Sequence, residues 1–138
     1  MPNELFLDAS YAIALASASD QRHEQAVKLA QRLEAEQTKL VTTRAVVLEV
    51  GNALSLLRYR PAAIALIDAL ERDARVEIIP LDEPFCQQAW MLFRQRPDKE
   101  WGLTDCLSFV VMQDRGITEA LSADHHFRQA GFRPLLLD

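Results

Sequence analysis

The sequence predicts an α/β domain, a three-layer α/β/α sandwich around a central and mainly parallel sheet. Short apolar segments typical of buried strands alternate with longer segments in which apolar residues recur at helical spacing. The 138 residues match one domain of common size with a substantial core, so we expect a single domain over 1–138. The composition, 49% hydrophobic and 25% charged, is that of an ordinary globular protein.

The first half of the chain alternates strand patterns with amphipathic helix patterns. It contains strands at 4–8 and 39–42, and helices over 11–15, from about residue 20, over 44–57 and over 62–73. Ser10 and Thr43 can cap the helices that follow them, because their hydroxyls can accept a hydrogen bond from a free first-turn amide. Pro61 separates the last two helices, which we expect to form a helical hairpin.

The second half continues the alternation and adds a central helix. It contains strands at 75–80, 118–122 and 133–137, and helices over 85–93 and 104–115. The helix over 104–115 is apolar almost all the way round, as expected of a helix packed centrally, and Gly116 ends it. Strands separated by helices predict a parallel sheet, and right-handed crossovers place the strands' carboxyl ends along one edge.

Four acidic residues lie beside or inside apolar segments, where an unpaired carboxylate is costly. They are Asp8, Glu49, Asp105 and Asp124. Asp8 and Asp124 follow predicted strands, and open parallel sheets bind ligands beyond the carboxyl ends of their strands. Asp105 lies in the first turn of the central helix, and Glu49 lies at the margin of an apolar helix stripe. We therefore expect the four to meet at one edge of the sheet.

A site of carboxylates without paired histidines or cysteines favours a hard cation, Mg²⁺ or Mn²⁺, over zinc. Such a site is suited to phosphodiester hydrolysis. Taken singly, each acid also has a structural explanation: a helix cap, a favourable helix dipole, or a side chain that reaches solvent. Only their joint occurrence favours the metal site.

The charge balance excludes a protein that binds nucleic acid by bulk electrostatics. Fifteen Lys and Arg stand against 20 Asp and Glu, a net charge of -5, so any contact with nucleic acid must be local. Arg94, Arg96 and Lys99 could contact phosphate or could simply be solvated. For Trp101 we favour a lid on the core over a base-stacking platform.

Two adjacent histidines, His125 and His126, could contact substrate phosphate or a metal, but they point in different directions and lack the spacing of a helical metal-binding pair, so we favour a surface loop. Cys86 and Cys106 lie in apolar helical patterns without metal spacing, which favours buried, reduced thiols over a disulfide. The first five residues lack a signal-peptide pattern, and no segment has the length of a membrane span. We therefore expect a cytoplasmic protein.

Four blocks of this sequence together resemble the PIN-domain family, and in particular the VapC-type ribonuclease toxins of bacterial and archaeal toxin-antitoxin systems. The blocks are Leu-Asp-Ala-Ser-Tyr at 7–11, Val-Leu-Glu-Val-Gly-Asn-Ala-Leu at 47–54, Leu-Thr-Asp-Cys-Leu-Ser-Phe at 103–109, and Leu-Ser-Ala-Asp-His-His-Phe-Arg-Gln-Ala-Gly-Phe at 121–132. They span nearly the whole chain, and the last two are the most specific.

The resemblance implies a PIN-like fold and a function. It assigns the family's metal-binding and catalytic set to Asp8, Glu49, Asp105 and Asp124, with Ser10, Asn52 and Thr104 as supporting hydrogen-bonding groups. It further implies Mg²⁺ or Mn²⁺ as cofactor, an RNA substrate, a small antitoxin protein as partner, and a homodimer.

Three alternatives remain open at this point. The chain could be a PIN-domain nuclease that is not a toxin, or a PIN module that binds partners without catalysis. It could also be a receiver- or phosphatase-like domain for phosphoryl transfer, with Asp8 as the phosphorylated residue. The sequence offers little for the last alternative, since we find no strand-end lysine and no acidic doublet around Asp8.

Overall fold

Parallel strands form a five-stranded sheet in the computed structural model, which describes residues 4–138. They are β1 Glu4–Leu7, β2 Lys39–Thr43, β3 Val76–Ile79, β4 Glu119–Leu121 and β5 Arg133–Pro134. Their order across the sheet is β3-β2-β1-β4-β5, and every pairing is parallel. The predicted α/β class with a mainly parallel central sheet is confirmed.

Helices cover both faces of this sheet. They are α1 Ala9–Ala16, α2 His23–Glu36, α3 Arg44–Ala53, α4 Arg60–Arg72, α5 Glu83–Gln95, α6 Leu103–Arg115 and α7 His125–Gln129. Right-handed crossovers place α1 to α4 on one face and α5 to α7 on the other. The packing agrees, because α1 contacts α2, α3 and α4, whereas α5 contacts α6. The result is the predicted three-layer sandwich.

Two helix ends differ from the predictions. Asp8, not Ser10, caps α1: its side chain accepts a hydrogen bond from the Ser10 amide, which lies within the helix. The third helix ends at Ala53, earlier than predicted. A turn follows, in which the Arg60 guanidinium donates to the Ser55 carbonyl at 2.8 Å and so satisfies a backbone group outside the helix.

The carboxyl-terminal segment forms less strand than predicted. After the two residues of β5, the chain continues as a 3₁₀-helix over Leu135–Leu137. Pro134 lacks an amide donor, which explains why this short strand lies at the edge of the sheet. The five-residue helix α7 was not predicted, because it is too short to show a helical period.

The core explains several single residues. Phe6, Met112 and Phe127 are fully buried. Trp101 is buried and packs edge to face on Phe109 with ring centroids 5.0 Å apart, which confirms its place as a lid on the core. Both cysteines are free thiols, one buried and one partly buried.

No helix within residues 4–138 has the length and apolarity needed to cross a membrane. Residues 1–3, which form part of the segment without a signal-peptide pattern, lie outside the described residues.

Candidate active site

The topology of the sheet creates a crevice between β1 and β4. These strands are neighbours, but the chain leaves β1 toward β2 on one side and leaves β4 toward β5 on the other. Ligands of open α/β sheets bind at such a switch point, beyond the carboxyl ends of the strands. Asp8 follows β1 directly, and its amide donates to the Leu121 carbonyl at the end of β4 at 3.1 Å.

Asp8 is the most deeply buried of the four acids, with 6% of its surface exposed. The Ser10 and Ser122 hydroxyls each lie 2.7 Å from its Oδ2. The same hydroxyls accept the amides of Ala123 at 2.9 Å and Asp124 at 3.0 Å. Each hydroxyl has one hydrogen, so both donate to Asp8 Oδ2. Oδ1 is left without a side-chain partner among the described residues and is available to a ligand.

Asp105, like Asp8, accepts its hydrogen bonds through one carboxylate oxygen. Its Oδ2 accepts the Gly102 amide at 3.1 Å and lies 3.0 Å from Nδ1 of His126, which must donate because a carboxylate only accepts. Asp124 caps α7, with Oδ1 accepting the His126 amide at 2.9 Å. Within residues 4–138, the second oxygen of each of these two aspartates makes no hydrogen bond.

Glu49 completes the group from α3. Val46 and Val50 are fully buried on the same helix, whereas Glu49 is exposed at the margin of the buried stripe, as predicted. Partial desolvation of its carboxyl group, and then the negative charges of Asp8, Asp105 and Asp124, raise the pKa of Glu49, and a hydrogen bond with Thr104 opposes this shift.

The site carries strong negative potential. Burial, then the neighbouring carboxylate of Asp105, raise the pKa of Asp8 against the hydrogen bonds from Ser10 and Ser122. Burial likewise raises the pKa of Asp105. In the part of the chain that the structure describes, no Lys or Arg forms an ion pair with any of the four acids. A bound cation would relieve this repulsion, and the all-oxygen donor set fits Mg²⁺ or Mn²⁺.

Most of the predicted site residues meet in one place. Among the supporting residues, Ser10 and Thr104 hydrogen-bond to members of the acidic group. Asn52 is exposed on α3, and its side chain makes no hydrogen bond to the acids among residues 4–138. The roles of all these residues in metal binding and catalysis remain predictions.

Two residues of the site were missed by sequence reasoning. His126 was expected in a surface loop, which is wrong: its side chain is 19% exposed and faces Asp105 and Asp124 from α7. His125 matches the expectation better, with 68% of its side chain exposed. Ser122 is fully buried between two apolar residues. The sequence signal for Ser122 is a single hydroxyl residue at the end of an otherwise apolar predicted strand.

The loop before α6 carries two cations, and both lie beside the same carboxylate. Arg96 pairs with Asp98 at 3.0 Å and its guanidinium lies over the Trp101 ring, 5.1 Å from the centroid. Lys99 lies 3.9 Å from the same carboxylate, and Arg94 is exposed. Contact of these groups with phosphate remains a prediction.

Comparison with known proteins finds a relative that spans almost the whole chain. The chain is 34% identical over 132 residues to the 23S rRNA-specific endonuclease VapC20 of Mycobacterium tuberculosis, which covers 93% of this chain and 95% of the relative. The crystal structure of that protein, described as a sarcin-ricin loop cleaving toxin, aligns with a TM-score of 0.80 at 29% identity, over 93% of this chain and 95% of VapC20.

A more distant structure shares the fold. FitAcB of Neisseria gonorrhoeae aligns with a TM-score of 0.66 at 17% identity and covers 94% of each chain. The sequence model of the PIN domain matches residues 5–133. Together with the parallel sheet and the four acids at its carboxyl edge, these matches show that the chain belongs to the PIN-domain family.

Proposed function

We propose that this protein is a divalent-metal-dependent endoribonuclease, which hydrolyses RNA phosphodiester bonds, and that it is the VapC-like toxin of a toxin-antitoxin pair. The observation that carries the proposal is the convergence of Asp8, Glu49, Asp105 and Asp124, with no Lys or Arg paired to them within residues 4–138. Membership of the PIN family and the similarity to an rRNA endonuclease support the same activity. They give no support to the receiver- or phosphatase-like alternative.

The residues of the site divide into a rigid part and an open part. Asp8 and Asp105 are each fixed through Oδ2 and would present the other oxygen to Mg²⁺ or Mn²⁺. Asp124 and the more exposed Glu49 would complete the coordination. When bound, such a cation supplies positive charge to the phosphate and activates water for attack on phosphorus. Ser10, Ser122 and Thr104 would orient the acids, as hydrogen bonds to metal ligands do.

The activity is tested with purified protein and labelled structured RNAs, beginning with a hairpin that carries a sarcin-ricin loop, because VapC20 is described as cleaving it. We expect cleavage with Mg²⁺ or Mn²⁺ and none after chelation. The Asp8→Asn variant should not cleave the RNA. Asp114→Asn removes a carboxylate at the exposed far end of α6 and serves as the matched control, which should cleave normally.

Two outcomes would contradict the proposal. One is a wild-type protein that cleaves no RNA with either metal. The other is an Asp8→Asn variant that cleaves as fast as the wild type, because the activity would then come from another site or another protein.

We further infer that a small antitoxin protein binds this chain and that the free protein forms a homodimer in the cytoplasm. Large apolar side chains are exposed along α3, α4 and the turn between them: Leu48 56%, Leu56 58%, Leu57 87% and Ile64 56%. Four large apolar side chains exposed on consecutive elements favour a protein interface over an ordinary solvated surface. Either partner could cover it.

The partner is tested by determining whether the preceding reading frame encodes a short protein and by co-expressing that protein with this chain. We expect the two to purify together and RNA cleavage to be suppressed. Light scattering on the protein alone measures the oligomer. A monomer that neither binds nor is inhibited by that protein would contradict the inference.

A further inference from the structure

His126 lies between two carboxylates that belong to different parts of the chain. Its Nδ1 is 3.0 Å from Asp105 Oδ2 on α6 and 3.4 Å from Asp124 Oδ1, the residue that caps α7. Its own amide donates to the same Asp124 oxygen at 2.9 Å. One histidine therefore joins the first turn of α6 to the start of α7.

The position of the imidazole is fixed by the core beneath it. Phe127, the next residue, is fully buried and packs edge to face on Phe109 with ring centroids 5.0 Å apart. This contact anchors α7 against α6, and it leaves only 19% of the His126 side chain exposed. The ring has a defined place before any ligand binds.

The contact determines which oxygens remain available. Asp105 Oδ2 is occupied by the Gly102 amide and by His126 Nδ1, so the other oxygen is directed away from both donors. Without the imidazole, Asp105 would keep a single donor and could rotate about its side-chain torsions. Asp105 and Asp124 would then lose the group that lies between their negative charges.

We propose that His126 is a positioning residue, which holds Asp105 in place for a divalent cation by donating from Nδ1, with the ring beside the Asp124 carboxylate. It is not itself a ligand of that cation. The inference rests on the proposed function, and it adds a residue that acts through one of the four acids and lies beside a second. The rival assignment is direct ligation, because ligand atoms of Asp124, His125 and His126 lie within 4.8 Å of one another.

The test uses variants that distinguish a role of Nδ1 from a role of Nε2. In His126→Asn the amide nitrogen takes the place of Nδ1, in His126→Gln it takes the place of Nε2, and His126→Leu has no donor. Mn²⁺ affinity is measured by titration calorimetry, and RNA cleavage by kcat and KM. His125→Asn, at the exposed neighbouring histidine, is the matched control.

We expect His126→Leu and His126→Gln to weaken Mn²⁺ binding about 10-fold to 100-fold, the usual cost of losing a group that orients a metal ligand. His126→Asn should restore the affinity to within about threefold of the wild type on the same scale. The control should bind Mn²⁺ as the wild type does. The loss in cleavage should be recovered in part at high Mn²⁺, because the missing function is the placement of ligands.

Three results decide against the inference or its basis. Unchanged Mn²⁺ affinity in both His126→Leu and His126→Gln would overturn it. Equal weakening in Asn, Gln and Leu variants, with a nitrogen coupling in the pulsed EPR spectrum of the wild-type Mn²⁺ complex, would assign His126 as a ligand instead. A wild-type protein that binds no Mn²⁺ and cleaves no RNA would remove the proposed function itself. If His126→Leu does not fold, the comparison of His126→Asn with His126→Gln still decides between a positioning role and direct ligation.

Discussion

The hydroxyl of Ser122 offers a sharp test of how the site is held. Its side chain is fully buried and donates to Asp8 Oδ2 at 2.7 Å while accepting the Asp124 amide at 3.0 Å. Ser122→Ala removes both hydrogen bonds and creates almost no cavity. The variant therefore isolates the polar contribution of one atom.

The magnitude follows from the two bonds. A hydrogen bond to a charged group contributes about 1.5–3 kcal/mol, and a buried amide left without a partner costs about 1–3 kcal/mol. Because the two effects share one atom, we expect the free energy of unfolding to fall by about 2–4 kcal/mol. At about 4 °C per kcal/mol for a domain of this size, Tm should fall by about 8–16 °C.

Ser108→Ala is the matched control. Ser108 is equally buried, but its hydroxyl donates at 3.0 Å to the Thr104 carbonyl, one turn earlier in α6. That carbonyl keeps its helical hydrogen bond after the change, and alanine favours the helix. We expect this variant to lose less than about 1 kcal/mol.

Thermal unfolding by circular dichroism in chelator, at neutral and at mildly acidic pH, measures both variants. The Ser122 bond lowers the pKa of Asp8 although burial raises it overall, so its contribution requires ionised Asp8. The difference between wild type and Ser122→Ala should therefore shrink as pH falls through the raised pKa of Asp8. A Ser122→Ala variant no less stable than Ser108→Ala, or a difference that grows on acidification, would refute the reasoning.

Three further predictions concern the acids and the core lid. Asp105→Asn should reduce RNA cleavage by at least about 100-fold in a labelled-RNA assay without lowering Tm in chelator, because it removes one of several repelling charges. The raised pKa values of Asp8, Glu49 and Asp105 mean that the folded protein retains protons which the unfolded chain has released, so stability without metal should fall as pH rises through these values. Tm measured against pH should show this fall, and Mn²⁺ should reduce it. Trp101→Phe loses the 3.0 Å bond to Gln129 and should cost about 1 kcal/mol by denaturant titration. Cleavage should be unchanged, and a loss above tenfold would instead indicate base stacking.

Part of the site could be predicted because it follows from local pattern and topology. Asp8 and Asp124 end apolar strands, and parallel strands bring such ends together whatever the loops do. Glu49 lies at the edge of an apolar stripe, which the helical period shows directly. The strand and helix patterns were strong enough to identify the fold class.

The remaining features depend on contacts between distant residues. Ser122 bonds to Asp8 across 114 positions and His126 to Asp105 across 21, and neither contact leaves a periodic pattern. The turn that follows α3 contains a hydrogen bond from the Arg60 guanidinium to the Ser55 carbonyl, a contact that has no periodic pattern either. Such contacts appear only once the elements are packed.

The pairing of β1 with β4 has a consequence for biosynthesis. Phe6 pairs with Ala120, so the sheet edge that carries the acids forms only when two segments far apart in the sequence come together. Contacts of this separation form late in folding, because the chain between them must first be ordered. A growing chain cannot bring the four acids together until the segment around residue 124 has been translated and β4 has inserted beside β1. Formation of the candidate site is thereby tied to completion of the fold.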